Sequence, residues 1–140
     1  MSQAIKDIEA DLIDEFSFFD DWMDKYQHII EMGQDLPGID QASKTDDNIV
    51  HGCQSRVWLV AKVEGDRVIY RADSDAIITK GLIAMLIRVL SGQTADTIIQ
   101  ADLAFMEKIG IREHLSPTRS NGLSAMIKQM KFYAIAAKGR

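Results

Sequence analysis

The sequence predicts an α+β fold, in which a small antiparallel β-sheet of about three strands packs against several α-helices. Apolar stripes with helical spacing occupy both ends of the chain, and an alternating, strand-like pattern lies between them. A sheet of this size needs a helix over one face to be stable, so we expect sheet and helices to share one core. A length of 140 residues suits a single domain, residues 1–140.

The first part of the chain predicts two helices separated by a bend. Residues 17–21 contain good capping residues, which should end one helix and start the next. Gly33 is expected to close the second helix as its C-cap, and a polar loop without periodicity follows at residues 34–48. The apolar stripe of the two helices consists of Ile5, Ile8, Leu12, Phe16, Phe19, Met23, Tyr26 and Ile30.

The centre of the chain predicts a β-hairpin. Residues 57–64 and 67–72 alternate in polarity on either side of the short turn Gly65-Asp66. Residues 49–51 can add a short leading strand. The hairpin therefore supplies most of the predicted sheet.

Helix start signals follow the hairpin. Ser74 is the expected N-cap of the third helix, with Asp75 near its positive end. Gly81 inside that helix costs about 1 kcal/mol relative to alanine, which predicts a close approach of another element. Further helix boundaries are predicted at Ser91-Gly92, Thr94, Asp102, Gly110 and Ser116-Pro117.

The charge distribution excludes some functions. A net charge of −5 argues against general nucleic-acid binding, which relies on basic surfaces. Residues 1–24 carry eight acidic residues and one lysine, whereas residues 114–140 carry five basic residues and no acidic ones. Solvated helix faces, packed as complementary neighbours, are the simpler interpretation, and a docking patch is the alternative.

The sequence also favours a cytoplasmic protein. One cysteine cannot form an internal disulfide framework, and the N-terminal residues lack the pattern of a secretion signal. The most apolar stretch, residues 76–90, is interrupted by Lys80 and Arg88 and is too short to span a bilayer. We therefore expect no membrane contact, and a monomer.

The single thiol, Cys53, is the main candidate for chemistry. It lies between Gly52 and the first strand, where a loop at the edge of a sheet is expected, although a small buried hydrophobic residue is the alternative. In an extended segment His51 and Cys53 would point to the same side, so an imidazole could help to form the thiolate. Zinc, iron–sulfur and phosphate sites lack the necessary ligand sets, and no second thiol permits internal disulfide chemistry.

Several short motifs occur in a defined order. They are Gly52-Cys53-Gln54-Ser55, Val57-Trp58, Asp73-Ser74-Asp75-Ala76, Lys80-Gly81-Leu82-Ile83, His114-Leu115-Ser116-Pro117 and Arg119-Ser120-Asn121-Gly122-Leu123. Together they resemble the SufE family, the sulfur-acceptor proteins of iron–sulfur cluster biogenesis. The resemblance covers nearly the whole chain, and the order of the motifs makes it specific.

The resemblance implies a function for Cys53. This residue would take persulfide sulfur from a PLP-dependent cysteine desulfurase of the SufS type, stimulate that enzyme, and pass the sulfur to a cluster scaffold of the SufBCD type. The PLP belongs to the desulfurase, and no cofactor or metal is expected on this chain. The resemblance also implies a fold similar to that of the scaffold protein IscU.

Supporting roles follow for neighbouring motif residues. Arg119 is expected to favour the thiolate or persulfide anion if the fold brings it close, and a surface arginine is the alternative. Asp75 matches an acidic position of the family, with a helix-dipole role favoured over a partner contact. Gln54 and Ser55 match the motif and can hydrogen-bond the loop backbone or a persulfide, although loop stiffening is the simpler role. His51 is not carried over from the family and would act only as a local modulator of Cys53.

Three alternatives remain open from the sequence. The acceptor can be of the CsdE type and serve another desulfurase. The chain can be a stand-alone cysteine hydrolase or transferase that uses His51 as base. It can also be a binding module with an incidental thiol. For an acceptor, we expect Cys53 to rest against apolar residues and its loop to swing outward when a partner docks.

Overall fold

The computed structural model describes residues 4–139 and confirms the α+β fold. Helices precede and follow a hairpin, and short 3₁₀ turns occupy several of the connections. In order, the elements are α1 (Ile5–Ser17), α2 (Trp22–Gln34), 3₁₀ turns at Gln41–Ser43 and Asp46–Asn48, β1 (Val57–Glu64), β2 (Arg67–Ser74), α3 (Ile77–Leu90), β3 (Gln93–Thr94), α4 (Ala95–Gln100), α5 (Phe105–Ile109), a 3₁₀ turn at Arg112–His114 and α6 (Pro117–Lys138).

The sheet has the order β1-β2-β3 and is antiparallel throughout. The predicted hairpin is present, with Glu64 opposite Arg67 across a two-residue turn in which Gly65 has a φ of 62°. The third strand is the short segment β3, which the sequence pattern did not predict. The expected leading strand at residues 49–51 is reduced to one isolated bridge between Ile49 and Trp58.

The bend between the first two helices lies where it was predicted. The side chain of Asp21 caps α2 by accepting a hydrogen bond of 2.9 Å from the backbone N–H of Asp24. The apolar stripe shifts in α2, however, because Ile29 is fully buried while Met23 is 82% exposed. The bend therefore rotates α2 about its axis, so that its buried face does not continue the apolar stripe of α1.

The prediction that Gly33 ends α2 was wrong. Gly33 is buried inside the helix, and a Cβ added there would lie 2.7 Å from the backbone nitrogen of Gly81. A Cβ on Gly81 would in turn clash with the carbonyl oxygen of Ile29, so the close approach predicted for Gly81 is confirmed. Helices α2 and α3 are therefore in backbone contact, which only glycine permits.

The predicted N-cap of α3 was also wrong. Ser74 still belongs to β2, and α3 begins at Ile77 without a side-chain cap. The Ser74 hydroxyl instead donates a 2.8 Å hydrogen bond to the carbonyl of Arg56. The strand continues because Ser74 pairs with Val57 in the hairpin register.

The last helix begins as predicted. Ser116 accepts a 3.2 Å hydrogen bond from the backbone N–H of Arg119, and Pro117 is the first helical residue. Thr94 likewise caps α4, and Gly110 ends α5 with a φ of 86°. The buried positions of α6 are Gly122, Leu123, Met126, Met130 and Ala134.

The acidic and basic ends of the chain form ion pairs with other elements. Glu15 of α1 pairs with Arg88 of α3, and Lys138 of α6 pairs with Asp96 of α4. The hydrogen bond from Arg88 is the main cause that lowers the pKa of Glu15. No helix within residues 4–139 has the length and apolar character needed to cross a membrane.

Candidate functional site

The thiol lies on the loop that leads into β1. Gly52, with a φ of 98°, turns the chain immediately before Cys53, so the segment is not extended. The Cys53 side chain is partly buried, and its sulfur lies 3.5 Å from the carbonyl oxygen of Gly122 in α6, as a weak S–H donor. The thiol therefore rests against the backbone of a helix that lies 69 residues further along the chain.

Cys53 opens onto a cavity of about 250 Å³. This volume exceeds the space that one additional sulfur atom requires, since a liquid water molecule occupies about 30 Å³. The cavity is walled by the cysteine loop, the first part of α3 and the first turns of α6. Its lining residues are Cys53, Gln54, Ser55, Thr79, Leu82, Ser116, Thr118, Arg119, Gly122 and Met126.

The Cys53 side chain packs against the apolar core, as predicted, but the walls of the cavity are mostly polar. Leu82 and Met126 are the larger apolar side chains against the cavity, while hydroxyl, amide and guanidinium groups supply most of the remaining surface. The amino-terminal end of α6 also faces this space, and such an end carries a partial positive charge. The cavity is therefore suited to hold an anion next to Cys53.

The resting thiol itself is protonated at neutral pH. Burial raises the pKa of Cys53, because a thiolate loses hydration in this position. Arg119 contributes to the same wall but is not among the causes of that pKa shift. The predicted role of Arg119 in favouring an anion thus remains a prediction, with the residue located in the wall of the cavity onto which the thiol opens.

His51 does not join Cys53 in this cavity. Its side chain is exposed and lines a different groove, on the outer face of α6, together with Ala125 and Phe132. The expectation that His51 and Cys53 point to the same side was wrong, because the left-handed Gly52 between them breaks the two-residue alternation.

Asp75 also lies outside the cavity wall. Its carboxylate accepts a 3.1 Å hydrogen bond from the backbone N–H of Arg56, and its own N–H bonds to the Arg56 carbonyl. Asp75 precedes α3 and is not in its first turn, so the predicted helix-dipole role does not apply. Its contacts secure the backbone three residues after the thiol.

Asp73 belongs to one of the motifs, but the sequence did not predict that it anchors the polar loop. Its carboxylate forms ion pairs with Lys44 at 3.2 Å and Lys80 at 3.3 Å. Burial opposes ionisation of Asp73, but hydrogen bonds from the Ser74 backbone and both lysines outweigh it and lower its pKa. The loop at residues 34–48 is thereby fastened to the hairpin and α3.

Gly122 is a second residue whose role was not predicted. A Cβ added at this position would lie 3.4 Å from the Cys53 sulfur. Gly122 belongs to a motif that the sequence already identified, but its proximity to the thiol depends on tertiary structure.

Among residues 4–139 no group of three or more His, Cys, Asp or Glu side chains is arranged to hold a metal ion.

Comparisons with known proteins found a matching family model and relatives that cover most of the chain. The family model described as "SufE: Fe-S metabolism associated domain" matches residues 10–134. An uncharacterized SufE-like protein of Rhizobium meliloti (strain 1021) is 42% identical over 125 residues, which cover 86% of this chain and 89% of that protein. A second such protein, from Rhizobium etli, is also 42% identical over 125 residues, covering 86% of this chain and 84% of its own length.

A solved structure supports the fold. The solution structure of a hypothetical protein from Thermus thermophilus aligns with a TM-score of 0.78, covering 95% of this chain and 97% of the other. The sequence identity is 20%, so this similarity concerns the architecture alone.

Proposed function

The chain belongs to the SufE family, and from this premise we propose that Cys53 accepts persulfide sulfur from a SufS-type cysteine desulfurase, stimulates that enzyme, and releases the sulfur for iron–sulfur cluster assembly. Family membership supports a sulfur-acceptor role in iron–sulfur metabolism and implies interaction with a cysteine desulfurase. The observation that carries the proposal is a partly accessible single thiol beside a cavity with room for a second sulfur atom.

The transfer step is an exchange between sulfur atoms. The Cys53 thiol first loses its proton to solvent or to a base of the partner. Its thiolate then attacks the terminal sulfur of the persulfide on the desulfurase, and the sulfur–sulfur bond of that persulfide breaks. The desulfurase cysteine leaves as a thiolate, and Cys53 carries the persulfide. The electrons balance without an external oxidant or reductant.

The cavity supports storage of the transferred sulfur. A terminal sulfur bonded to Cys53 lies about 2 Å beyond Sγ, within reach of the space that Arg119 and the first turn of α6 surround. A persulfide is more acidic than a thiol, so it is held there as an anion. The guanidinium of Arg119 and the helix amino terminus stabilise that charge, while Gln54 and Ser55 offer polar groups.

A resting thiol with a raised pKa is a poor nucleophile until its surroundings change. We propose that docking swings the cysteine loop outward, with Gly52 as the hinge, and so restores hydration to Cys53. Hydrogen exchange with and without the desulfurase tests this movement. Unchanged protection of residues 49–55 on binding would refute it.

The protein acts as a covalent acceptor and not as a catalyst. The PLP stays with the desulfurase, and a SufBCD-type scaffold is the proposed recipient. A CsdE-type acceptor that serves another desulfurase is a second assignment with the same chemistry. We place the protein in the cytoplasm, where a single thiol stays reduced.

Mass spectrometry tests the function directly. Incubation with a SufS-type desulfurase and free cysteine should add the mass of one sulfur atom to the peptide that contains Cys53. Cys53→Ser should abolish both the added mass and the stimulation of the desulfurase. The matched control, Ser17→Ala, changes an exposed serine outside the cavity, keeps the thiol and should still gain sulfur.

The same assay separates the hydrolase alternative. Turnover of a small substrate by the isolated chain, lost in His51→Ala, would contradict the acceptor function. Repetition with a CsdA-type enzyme identifies which desulfurase loads Cys53 faster.

A further inference from the structure

The outer face of α6 carries a groove that sulfur transfer at Cys53 does not use. Its volume is about 840 Å³ and most of its surface is apolar. We propose that this groove binds an amphipathic helix of the cysteine desulfurase, one with carboxylates along the edges of its apolar face. The proposal rests on the function proposed above, because it identifies where the sulfur donor docks.

The apolar character of the groove comes largely from exposed side chains of α6. Phe132 is 60% exposed and Ile135 is 56% exposed. With Ala125 they follow steps of seven and three residues, which places them on one face of the helix. The opposite face of α6 is already buried in the core. A helix that is apolar on two faces is typical of one that is covered on both.

The edges of the groove are positively charged. Arg112 donates hydrogen bonds to Ser124 Oγ at 2.9 Å, and Lys131 donates to the carbonyl of Ile99 at 3.3 Å. These acceptors are neutral, and within residues 4–139 no carboxylate lies at ion-pair distance from Arg112, Lys128 or Lys131. In a chain of net charge −5, this local excess favours an acidic partner.

The shape of the groove suits a helix. The distance along α6 from Ala125 to Ile135 is about 15 Å, at 1.5 Å per residue, which matches three turns of a partner helix. Apolar side chains of that helix at positions i, i+3 and i+7 would enter the groove, as in other helix-in-groove complexes. A convex helix fills such a concave groove, whereas a flat membrane surface does not.

The position of the groove connects it to the thiol. His51 lines its end, two residues before Cys53. A Cβ added at Gly52 would lie 3.1 Å from the Cβ of Ala125, so the hinge of the cysteine loop packs directly against the groove wall. A helix in the groove therefore contacts the segment that carries the thiol, which the sulfur donor must reach.

Calorimetric titration of the full chain with the SufS-type desulfurase tests the groove. Phe132→Ser and Lys128→Glu should each raise the Kd about tenfold. The matched controls, Phe18→Ser and Lys6→Glu, change an exposed phenylalanine and an exposed lysine outside the groove and should leave the Kd unchanged. Sulfur loading of Cys53 at saturating desulfurase should be equal in all four variants, which separates docking from chemistry.

A cross-linking experiment identifies the occupant. Phe132→p-benzoylphenylalanine should cross-link to an acidic, amphipathic helix of the desulfurase, and the same replacement at Phe18 should not. The proposal is overturned if the groove variants bind as the controls do, or if the wild-type chain does not bind the desulfurase. Two further outcomes overturn it. In the first, Phe132→Ser abolishes self-association of the chain and leaves desulfurase binding intact. In the second, Phe132→Ser abolishes binding to phosphatidylglycerol vesicles and leaves desulfurase binding intact. Binding through the groove without sulfur on Cys53 would instead refute the proposed function alone.

Discussion

The sulfur of Cys53 lies 3.5 Å from the carbonyl oxygen of Gly122, and any Cβ at residue 122 would be 3.4 Å from that sulfur. The missing side chain at this position leaves the space next to the thiol open. Because Gly122 is in the body of α6, alanine would be the better helix former there. Helix stability therefore does not explain this glycine, whereas the open space that it leaves in the cavity does.

Gly122→Ala should retain the fold and shorten the life of the persulfide. Alanine gains about 1 kcal/mol in helix propensity, and its Cβ would be in ordinary van der Waals contact with Cys53, so the Tm should be unchanged or rise by a few degrees. The methyl group occupies space beside Sγ that the transferred sulfur would use. Persulfide decay in dithiothreitol measures the effect, with Gly139→Ala as the control. An unchanged decay rate would show that the sulfur is stored elsewhere.

The pH dependence of Cys53 alkylation should reveal the buried thiol. Since burial raises the pKa of Cys53, the rate with iodoacetamide should reach half its maximum at a pH above the value of about 8.5 for a free cysteine. The chain unfolded in urea should show the ordinary value. The free energy of unfolding should be unaffected below the unfolded pKa and should fall as pH rises through the folded pKa. Cys53→Ser should remove this alkaline loss.

Arg119→Ala should impair the persulfide and not the resting thiol. Loss of a charge-assisted hydrogen bond of about 1.5 kcal/mol corresponds to an approximately tenfold faster loss of sulfur. The alkylation midpoint of Cys53 should stay the same, because Arg119 does not contribute to the pKa shift of the resting state. Arg119→Lys keeps a positive charge and should restore part of the persulfide lifetime. Arg71→Ala serves as the distant control. A higher midpoint in Arg119→Ala would show that the arginine acts on the thiol itself.

Gly81→Ala should destabilise the protein although alanine favours helices. A Cβ at this position clashes with the backbone of α2, and such overpacking costs about 1–3 kcal/mol. Urea denaturation measures the change in the free energy of unfolding. Gly139→Ala, where the nearest atom is 3.6 Å from the added Cβ, should be close to neutral. Equal stability of both variants would contradict the observed helix contact.

Local sequence signals predicted those elements that are specified by neighbouring residues. The hairpin around Gly65 and the start of α6 at Ser116 are determined by turn and capping chemistry within a few positions. The strand β3 has two residues, too few for any alternation to be visible. Gly33 was predicted to end a helix, but a glycine can also permit a close helix contact, and only the partner helix distinguishes the two.

The candidate site was predictable in part for the same reason. Cys53 was identifiable as the single thiol in a recognisable motif. The prediction for His51 failed because of one backbone angle, the positive φ of Gly52. A two-residue alternation assumes extended backbone and does not allow for such an angle. The contact of Cys53 with Gly122 and its shared cavity with Arg119 join segments more than sixty positions apart, a relationship that only the folded chain creates.

The contact between Gly33 and Gly81 affects the cavity beside Cys53. Thr79 and Leu82, which flank Gly81 on α3, form part of the wall near Cys53. A larger group at either glycine would force α2 and α3 apart, and we expect the part of the cavity wall that α3 forms to move as well. Protein engineering that aims to change the volume of the cavity can therefore start at this crossing point, whose glycines are not among the lining residues.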